Sequence, residues 1–322
     1  MTTEFVIEWV DGKREPQCEP DPRFPEGKDV CIATGEHFPP HRIYCEPFGG
    51  AGSVLIRKTR SYAEVYNDQW DTVVNVFRVL RDPVAAQELR EQLEMTPFSR
   101  TEFVDAGHQA TDSAVEKARK TILRSFAGFG SASTNGNHST GFRASSMRSG
   151  TVPAGDWRNW PAHIPAFVDR LQGVCIENRP ALDLIAQHDS PDTLFYVDPP
   201  YPHETRNMRR GNAAYAVEMS DEGHEQLSEQ LHRCAGAVVL SSYRSEMYDR
   251  LYADWTMSEC NAHSDGARDR IEVLWLNPKC AGAQKQRTLG FPDRPRNKAR
   301  DRERLELLGS QSTSAGDSDV RD

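Results

Sequence analysis

The sequence of 322 residues lacks several features that would place it in common classes of protein. It has no apolar run of membrane-spanning length, and its first residues, MTTEFVIEWVDGKREP, contain no long apolar stretch of the signal-peptide kind. Its seven cysteines include no CxxC pair and no His/Cys cluster at metal-ligand spacing. We therefore expect a cytoplasmic protein with reduced thiols, no bound metal and no membrane partner.

The chain also lacks an overall positive charge. A formal net charge of −9 argues against indiscriminate nucleic-acid binding, so any such contact requires a local basic patch. Residues 124–155 carry Arg124, Arg143 and Arg148, no acidic residue, and many Gly, Ser and Asn residues. This composition predicts a flexible polar loop that could lie on DNA, although it is also typical of a solvated loop without a partner.

The sequence does contain an apolar strand, residues 194–197, that runs into an Asp-Pro-Pro-Tyr turn. An exocyclic amine of a nucleobase is a poor nucleophile because its lone pair is delocalised into the ring. The Asp198 carboxylate and the Pro199 carbonyl, held rigidly by the pair with Pro200, could accept both N–H groups and turn the lone pair toward an electrophile. Tyr201 offers an aromatic face for an extruded base. An ordinary turn at a strand end is the alternative.

A glycine-rich turn, EPFGGAGS at residues 46–53, follows the predicted strand 42–45 and opens a predicted helix. Glycines at such a turn let the backbone approach a ligand closely, although a plain tight turn is more common. The next predicted strand, residues 62–68, ends at Asp68, 16 residues after Gly52. This spacing is near that at which an acid meets a ribose diol, and Asp68 could also cap the following helix.

Apolar spacing predicts the remaining elements. A helix after Asp68 is predicted to end at Asp82-Pro83, and a second helix to run to about Met95. A further amphipathic helix is predicted from the apolar stripe Val115, Ala118, Ile122 and Phe126, with Lys117, Lys120 and Arg124 off that face. Ser220 is a predicted N-cap. Predicted strands cover residues 173–178 and 237–240, and a hairpin covers 256–260 and 270–276.

The EPFGGAGS, EVYND and TLFYVDPPY segments together resemble the Dam-like (D12 class) DNA adenine-N6 methyltransferases, especially phage-borne members. The similarity covers roughly residues 24–278. It implies an α/β fold with a Rossmann-like S-adenosylmethionine-dependent methyltransferase sheet, mostly parallel with one antiparallel strand near the C-terminus, and an inserted, mainly helical target-recognition segment. The implied catalytic core is 1–85 and 172–278, with 86–171 as the insertion. The polar residues 279–322 are predicted to be a disordered tail.

The resemblance implies roles for particular residues. The enzyme would transfer a methyl group from S-adenosylmethionine to a flipped adenine in double-stranded DNA, and its expected catalytic residues are Asp198, Pro199, Pro200 and Tyr201. The residues expected to bind the donor are Phe24, Lys28, Glu46, Pro47, Phe48, Gly49, Gly50, Ala51, Gly52, Asp68 and Asp198. The residues expected to contact DNA, chosen from basic loops before and after the catalytic turn, are Arg124, Arg143, Arg148, Arg206, Arg209 and Arg210.

One family element departs from its usual form. Members carry a Gly-Gly-Lys motif upstream of the glycine turn, whereas the best match here is Phe24-Pro25-Glu26-Gly27-Lys28, with Glu26 in place of the first glycine. An inactive DNA-binding module is therefore one alternative function. The Asp-Pro-Pro-Tyr chemistry could also serve cytosine N4, an RNA or a protein glutamine amide.

Overall fold

The computed structural model describes residues 37–108, 110–128, 132–135, 141–144, 153–205, 215–263 and 269–282. The strands within these residues are β1 (Ile43–Glu46), β2 (Ala63–Asn67), β3 (Val174–Glu177), β4 (Thr193–Val197), β5 (Ala237–Tyr243), β6 (Thr256–His263) and β7 (Asp269–Leu276). The helices are α1 (Ser53–Arg57), α2 (Asp71–Arg81), α3 (Pro83–Met95), α4 (Arg100–His108), α5 (Ala114–Ala127), α6 (Ala132–Asn135), α7 (Pro153–Asn159), α8 (Ile164–Leu171), α9 (Ala181–His188), α10 (Asp221–Arg233) and α11 (Glu246–Leu251).

The strands form one sheet in the order β3-β2-β1-β4-β5-β7-β6. Neighbours from β3 to β5 are parallel, whereas β7 is antiparallel to both β5 and β6. Among the described strands, β7 alone therefore runs against the others, which confirms the predicted sheet. The direction of strand addition reverses between β1 and β4, and open α/β sheets bind ligands at such a switch point.

Helices cover both faces of the sheet, and β4 shows how the sequence produces this arrangement. Its five residues are all buried, and alternate side chains point to opposite faces. Leu194 and Tyr196 pack into a cluster that contains the buried faces of α2 and α5. Phe195 and Val197 pack into a second cluster with α9, α10 and α11. This continuous apolar run is the pattern that parallel strands buried on both faces require.

A buried ion pair fastens α8 to the sheet. The Arg170 guanidinium donates to both carboxylate oxygens of Glu64 on β2, at 2.6 and 3.0 Å, and to the carbonyls of Leu55 and Ile56. Lys58 donates to the same carboxylate at 2.6 Å. Burial raises the pKa of Glu64, but the bonds from Arg170 and Lys58 outweigh it and hold the pKa below its usual value. The carboxylate is therefore ionised, and it joins α8 to β2 and α1.

The region between β2 and β3 is helical in its described part, as predicted, and has its own aromatic core. Phe126 on α5 packs edge-on to Trp157 at 5.3 Å, and Phe98 lies 4.9 Å from Phe142. The predicted stripe of α5 is buried, as expected from its spacing. Lys120 and Arg124, which were expected off the apolar face, are nevertheless both buried.

Several predicted boundaries agree with the structure. Asp82 separates α2 from α3, with its side chain accepting from the backbone N–H of Val84 and Ala85, and Ser220 caps α10. The predicted start of the insertion at residue 86 falls inside α3, and its predicted end at 171 coincides with the end of α8.

The predicted start of the disordered tail at residue 279 is wrong. Residues 279–282 are helical, and Cys280 is fully buried, with its thiol donating to the His37 carbonyl. The fold continues past residue 278 because the Cys280 side chain packs into the core. The tail residues from 283 onward lie outside the described part of the chain.

Candidate active site

A cavity of about 290 Å³ opens at the carboxyl ends of the central strands. The glycine turn, the end of β2 and the Asp-Pro-Pro-Tyr turn all contribute to its wall, so the structure brings together three motifs that lie far apart in the sequence. The wall residues from these motifs are Pro47, Phe48, Gly50, Ala51, Asp68, Asp198 and Pro200. Because β1 and β4 pair in register, their two turns emerge side by side at the switch point.

The glycine turn is held by hydrogen bonds to β2. The Gly49 N–H donates to the Asn67 carbonyl at 2.7 Å, and the Tyr66 hydroxyl donates to the Gly50 carbonyl at 2.6 Å. The Asn67 side-chain amide donates to the Pro47 carbonyl and also pairs with the backbone of Arg179 after β3. The turn is therefore fixed in shape by its own protein contacts.

The glycines of this turn serve two different purposes. A Cβ on Gly49 would lie 2.2 Å from the Tyr66 ring, and a Cβ on Gly52, whose φ is +65°, would lie 3.0 Å from the Phe77 ring. Gly50, with φ of 45°, is the glycine that lines the cavity. Gly50 is therefore the glycine of this turn that faces the cavity, whereas Gly49 and Gly52 make room for aromatic rings of the core.

Asp68 links the end of β2 to the glycine turn. One carboxylate oxygen accepts the Gly50 N–H at 2.9 Å and the other accepts the Trp70 N–H at 2.7 Å. Burial raises the pKa of Asp68, and the bonds from Trp70 and Gly50 lower it. The residue that caps α2 is Trp70, so Asp68 is not the N-cap. Its carboxylate lies at the cavity wall, where a bound diol could reach its remaining lone pairs.

Glu46 was expected to contact the donor, but it does not line the cavity. It is 2% exposed, and its carboxyl accepts the Tyr44 hydroxyl at 2.5 Å. Burial raises the pKa of Glu46 to about 7, although hydrogen bonds from Tyr44 and from the Leu55 N–H on α1 lower it. We therefore assign Glu46 a structural role at the base of the glycine turn.

The Asp-Pro-Pro-Tyr turn, the expected catalytic turn, presents a carboxylate to the cavity. Asp198 lines the wall, and its Oδ1 is buried without a hydrogen-bond partner among the described residues. Burial raises the pKa of Asp198 to about 6, while the neighbouring Tyr201 hydroxyl lowers it. An unpartnered buried carboxylate oxygen is costly unless a ligand satisfies it, so this atom is suited to accept a hydrogen bond from a substrate.

Tyr201 is 5% exposed and lies outside the cavity wall. Its ring packs edge-on against Tyr243 at the end of β5, with centroids 4.7 Å apart, and more loosely against Tyr215 at 6.4 Å. The aromatic face expected to receive a base is therefore covered by protein in this structure. Neither neighbour is predicted from the sequence: Tyr243 is placed by the pairing of β5 with β4, and Tyr215 lies in the segment before α10.

The structure corrects one predicted DNA contact. Arg124 is 9% exposed, donates to the carbonyls of Ser133 and Phe103, and lies over the Phe103 ring. Its guanidinium links α4 and α6 to α5 through these hydrogen bonds, so it is not available to pair with a DNA base. The Arg143 backbone N–H donates to the Ala127 carbonyl at 2.8 Å. The predicted residues that lie outside the described ranges are Phe24, Lys28, Arg148, Arg206, Arg209 and Arg210.

Sequence reasoning missed much of the cavity wall. The missed residues come from the start of α2, from α5 and α6, and from the segment before α10; they include Trp70, Val73, Thr121, Ser125, Thr134, Met219 and Ser220. Trp70 could have been found from its position two residues after Asp68. The α5 residues carry no sequence signal, because their proximity to the glycine turn arises from the packing of α5 on α2.

A parallel sheet with an antiparallel β7, a fixed glycine turn and an Asp-Pro-Pro-Tyr turn at one cavity define the class of Rossmann-like methyltransferases. The model of the family described as D12 class N6 adenine-specific DNA methyltransferase matches residues 34–265, which is more than half of the chain. The chain therefore belongs to this family, and it is an enzyme that methylates adenine N6 in DNA with S-adenosylmethionine. A search of curated proteins found no match.

The cavity fits this methyl donor. Phe48 and Trp70 supply aromatic surface, and Asp68 supplies a carboxylate at the end of β2. Across the described residues, no group of three or more His, Cys, Asp or Glu side chains could hold a metal ion, and no helix is long and apolar enough to span a bilayer.

Proposed function

We propose that Asp198 and Pro199 activate the N6 amine of an adenine that has been flipped out of double-stranded DNA. The observation that carries the proposal is the buried, unpartnered Oδ1 of Asp198 at the wall of the cavity. This oxygen accepts one N–H of the amine, and the Pro199 carbonyl accepts the other. The nitrogen lone pair then points into the cavity and no longer into the ring.

When bound, S-adenosylmethionine supplies an electrophilic methyl group. Asp68, Phe48, Gly50 and Ala51 hold the donor through the wall that they form. Asp198 has a pKa of about 6, so its carboxylate is mostly ionised at neutral pH, and its Oδ1 can take the proton that the amine loses. Tyr201 stacks on the base after its ring has separated from Tyr243.

We further propose that the region 86–171, inserted between the two motifs, contacts the DNA target. Arg143 and Arg148 before the catalytic turn, and Arg206, Arg209 and Arg210 after it, are the proposed DNA-contacting arginines. Support comes from their positive charge in an acidic chain and from the hydrogen bond of the Arg143 N–H to the Ala127 carbonyl at the end of α5. Arg124 is left out of this set because its guanidinium is bonded to protein carbonyls.

The test of the catalytic assignment is Asp198→Ala. Methyl transfer from labelled donor to duplex DNA should fall by about 10³-fold or more, because one acceptor for the amine is lost. Donor affinity by calorimetry should stay within several-fold of wild type. The matched control is Asp192→Ala at the other end of β4, where the side chain is exposed. Substantial residual transfer by the Asp198→Ala variant would refute the mechanism.

The duplex substrate has its own test. A duplex with 2-aminopurine at the target position should gain fluorescence on binding, because the base leaves the stack. Equal transfer rates on the duplex and on its separate strands would contradict the assignment to duplex DNA.

A further inference from the structure

The inserted helical region forms one wall of the donor cavity. Thr121 and Ser125 lie one turn apart on α5 and both line the cavity, together with Thr134 on α6. Helix α5 packs along α2, whose first turn contributes Trp70 and Val73 to the same wall. The region expected to recognise the target therefore also faces the space that the methyl donor is proposed to occupy.

The Ser125 hydroxyl differs from its hydroxyl neighbours in the wall. The Thr121 hydroxyl donates to the Lys117 carbonyl at 2.7 Å, and the Ser220 oxygen accepts the Gly223 N–H as a helix cap. Ser125 is 4% exposed, and its Oγ is buried without a hydrogen-bond partner among the described residues. A buried hydroxyl in this condition loses its hydration without compensation, so a ligand that bonds it gains affinity.

The neighbours of Ser125 fix its direction. Arg124 is bonded to the carbonyls of Ser133 and Phe103, which lie on α6 and α4. Phe126 is 1% exposed and packs against Trp157. With both adjacent side chains anchored in the inserted region, α5 cannot rotate about its axis to turn Ser125 away from the cavity without breaking these contacts.

We propose that the Ser125 hydroxyl hydrogen-bonds a polar group of bound S-adenosylmethionine, so that the inserted region is part of the donor site. The inference rests on the proposed function, because it takes the cavity as the donor site. The ligand class is a sulfonium nucleoside with several oxygen and nitrogen acceptors, and Ser125 is a neutral donor that can meet any of them.

The test is isothermal titration of the full chain with S-adenosylhomocysteine and with S-adenosylmethionine. Ser125→Ala should bind both ligands about three- to tenfold more weakly, the loss expected for one neutral hydrogen bond. Ser125→Cys, which keeps the shape but is a poor donor, should show a similar loss. The matched control is Ser133→Ala, since Ser133 is fully buried, also lacks an Oγ partner among the described residues, and lies outside the cavity wall.

Three results would overturn the inference. Unchanged affinity in both Ser125 variants would mean that the hydroxyl serves only the helix, by bonding the Thr121 carbonyl one turn back. An equal loss in Ser133→Ala would mean that the effect is a general loosening of α5 and α6. Absence of donor binding by wild type would overturn the cavity assignment in the proposed function itself, whereas normal wild-type binding with unchanged variants overturns the Ser125 inference alone.

Discussion

The glycine turn and the catalytic turn lie side by side at one end of the sheet, yet they are built in opposite ways. In the glycine turn, backbone groups are bonded to protein: Gly49 to Asn67, and Gly50 to Tyr66 and Asp68. In the catalytic turn, Asp198 keeps a buried oxygen without a partner among the described residues. We therefore propose that the glycine turn is preorganised by the protein for the donor, whereas the Asp198 carboxylate is left for the substrate to satisfy.

The largest effect is expected from a substitution that disrupts the glycine turn. Gly49→Ala places a methyl group 2.2 Å from the Tyr66 ring, which is itself fully buried and cannot withdraw. We expect the free energy of unfolding to fall by about 3 kcal/mol, as measured by urea denaturation, together with loss of donor binding. Gly282→Ala, where a Cβ would meet nothing within 4 Å, should stay within about 0.5 kcal/mol of wild type. A Gly49→Ala protein as stable as wild type would show that the turn is adaptable.

A smaller effect is expected from Asp68→Asn. The amide has one acceptor oxygen in place of two, so either the Gly50 N–H or the Trp70 N–H loses its partner. Donor affinity by calorimetry should fall by about 10- to 100-fold. Asp71→Asn, three residues further on and exposed at the start of α2, is the control and should bind normally. Equal donor affinities in the two variants would show that the hydrogen bonds accepted by Asp68 do not support donor binding.

The buried Asp198 carboxylate predicts that the stability of the fold depends on pH. Burial raises the pKa of Asp198 to about 6, above its ordinary 3.8, so the folded state holds this proton more tightly than the unfolded chain does. Its stabilising contribution is complete below about pH 4 and is lost as pH rises through 6. The free energy of unfolding of Asp198→Asn should therefore rise by about 1 to 2 kcal/mol relative to that of wild type as the pH is raised from 4 to 7.

Urea denaturation of both proteins across this range measures the gain. The other titrating groups, including Glu46, are common to the two proteins and cancel in the difference. A constant difference between wild type and Asp198→Asn at all pH values would show that Asp198 ionises at no cost to the fold.

The smallest effect concerns Tyr201→Phe. The tyrosine hydroxyl lowers the pKa of Asp198 by favouring its charged form, so its removal raises that pKa. The pH at which methyl transfer reaches half its maximum should move upward. The transfer rate at pH 6 should fall by less than about threefold, and the rate at pH 8 should change little. A downward move would mean that the hydroxyl does not favour the ionised carboxylate.

Much of the fold could be predicted from local patterns. The all-apolar β4 and the turn chemistry at Asp82-Pro83 and Ser220 depend on residues close in sequence, and the structure confirms them. The motif order and the strand-to-helix turn were enough to indicate the family. The approximate ends of β5, β6 and β7 were also predicted, although all three strands are longer than expected.

The contacts of the site could not be predicted in the same way. Arg124 looked like a DNA ligand because its charge is visible in the sequence, whereas its two carbonyl partners are not. Gly49 looked like a place for a ligand, but a core ring from β2 fills that space. Ser125 carried no signal, since its importance depends on how α5 lies against the donor cavity. In each case the missing information is a contact between residues distant in the chain.

The buried Asn67 side chain, at the end of β2, joins the loops that follow β1 and β3. It donates to the Pro47 carbonyl and the Arg179 carbonyl, and accepts the Arg179 N–H. Because one side-chain amide bonds both loops, we expect their opening to be coupled. We expect them to form a single cooperative unit in native-state hydrogen exchange, with the Gly49 and Arg179 amides exchanging at a common opening free energy. Access to the proposed donor site then requires the two loops to open together.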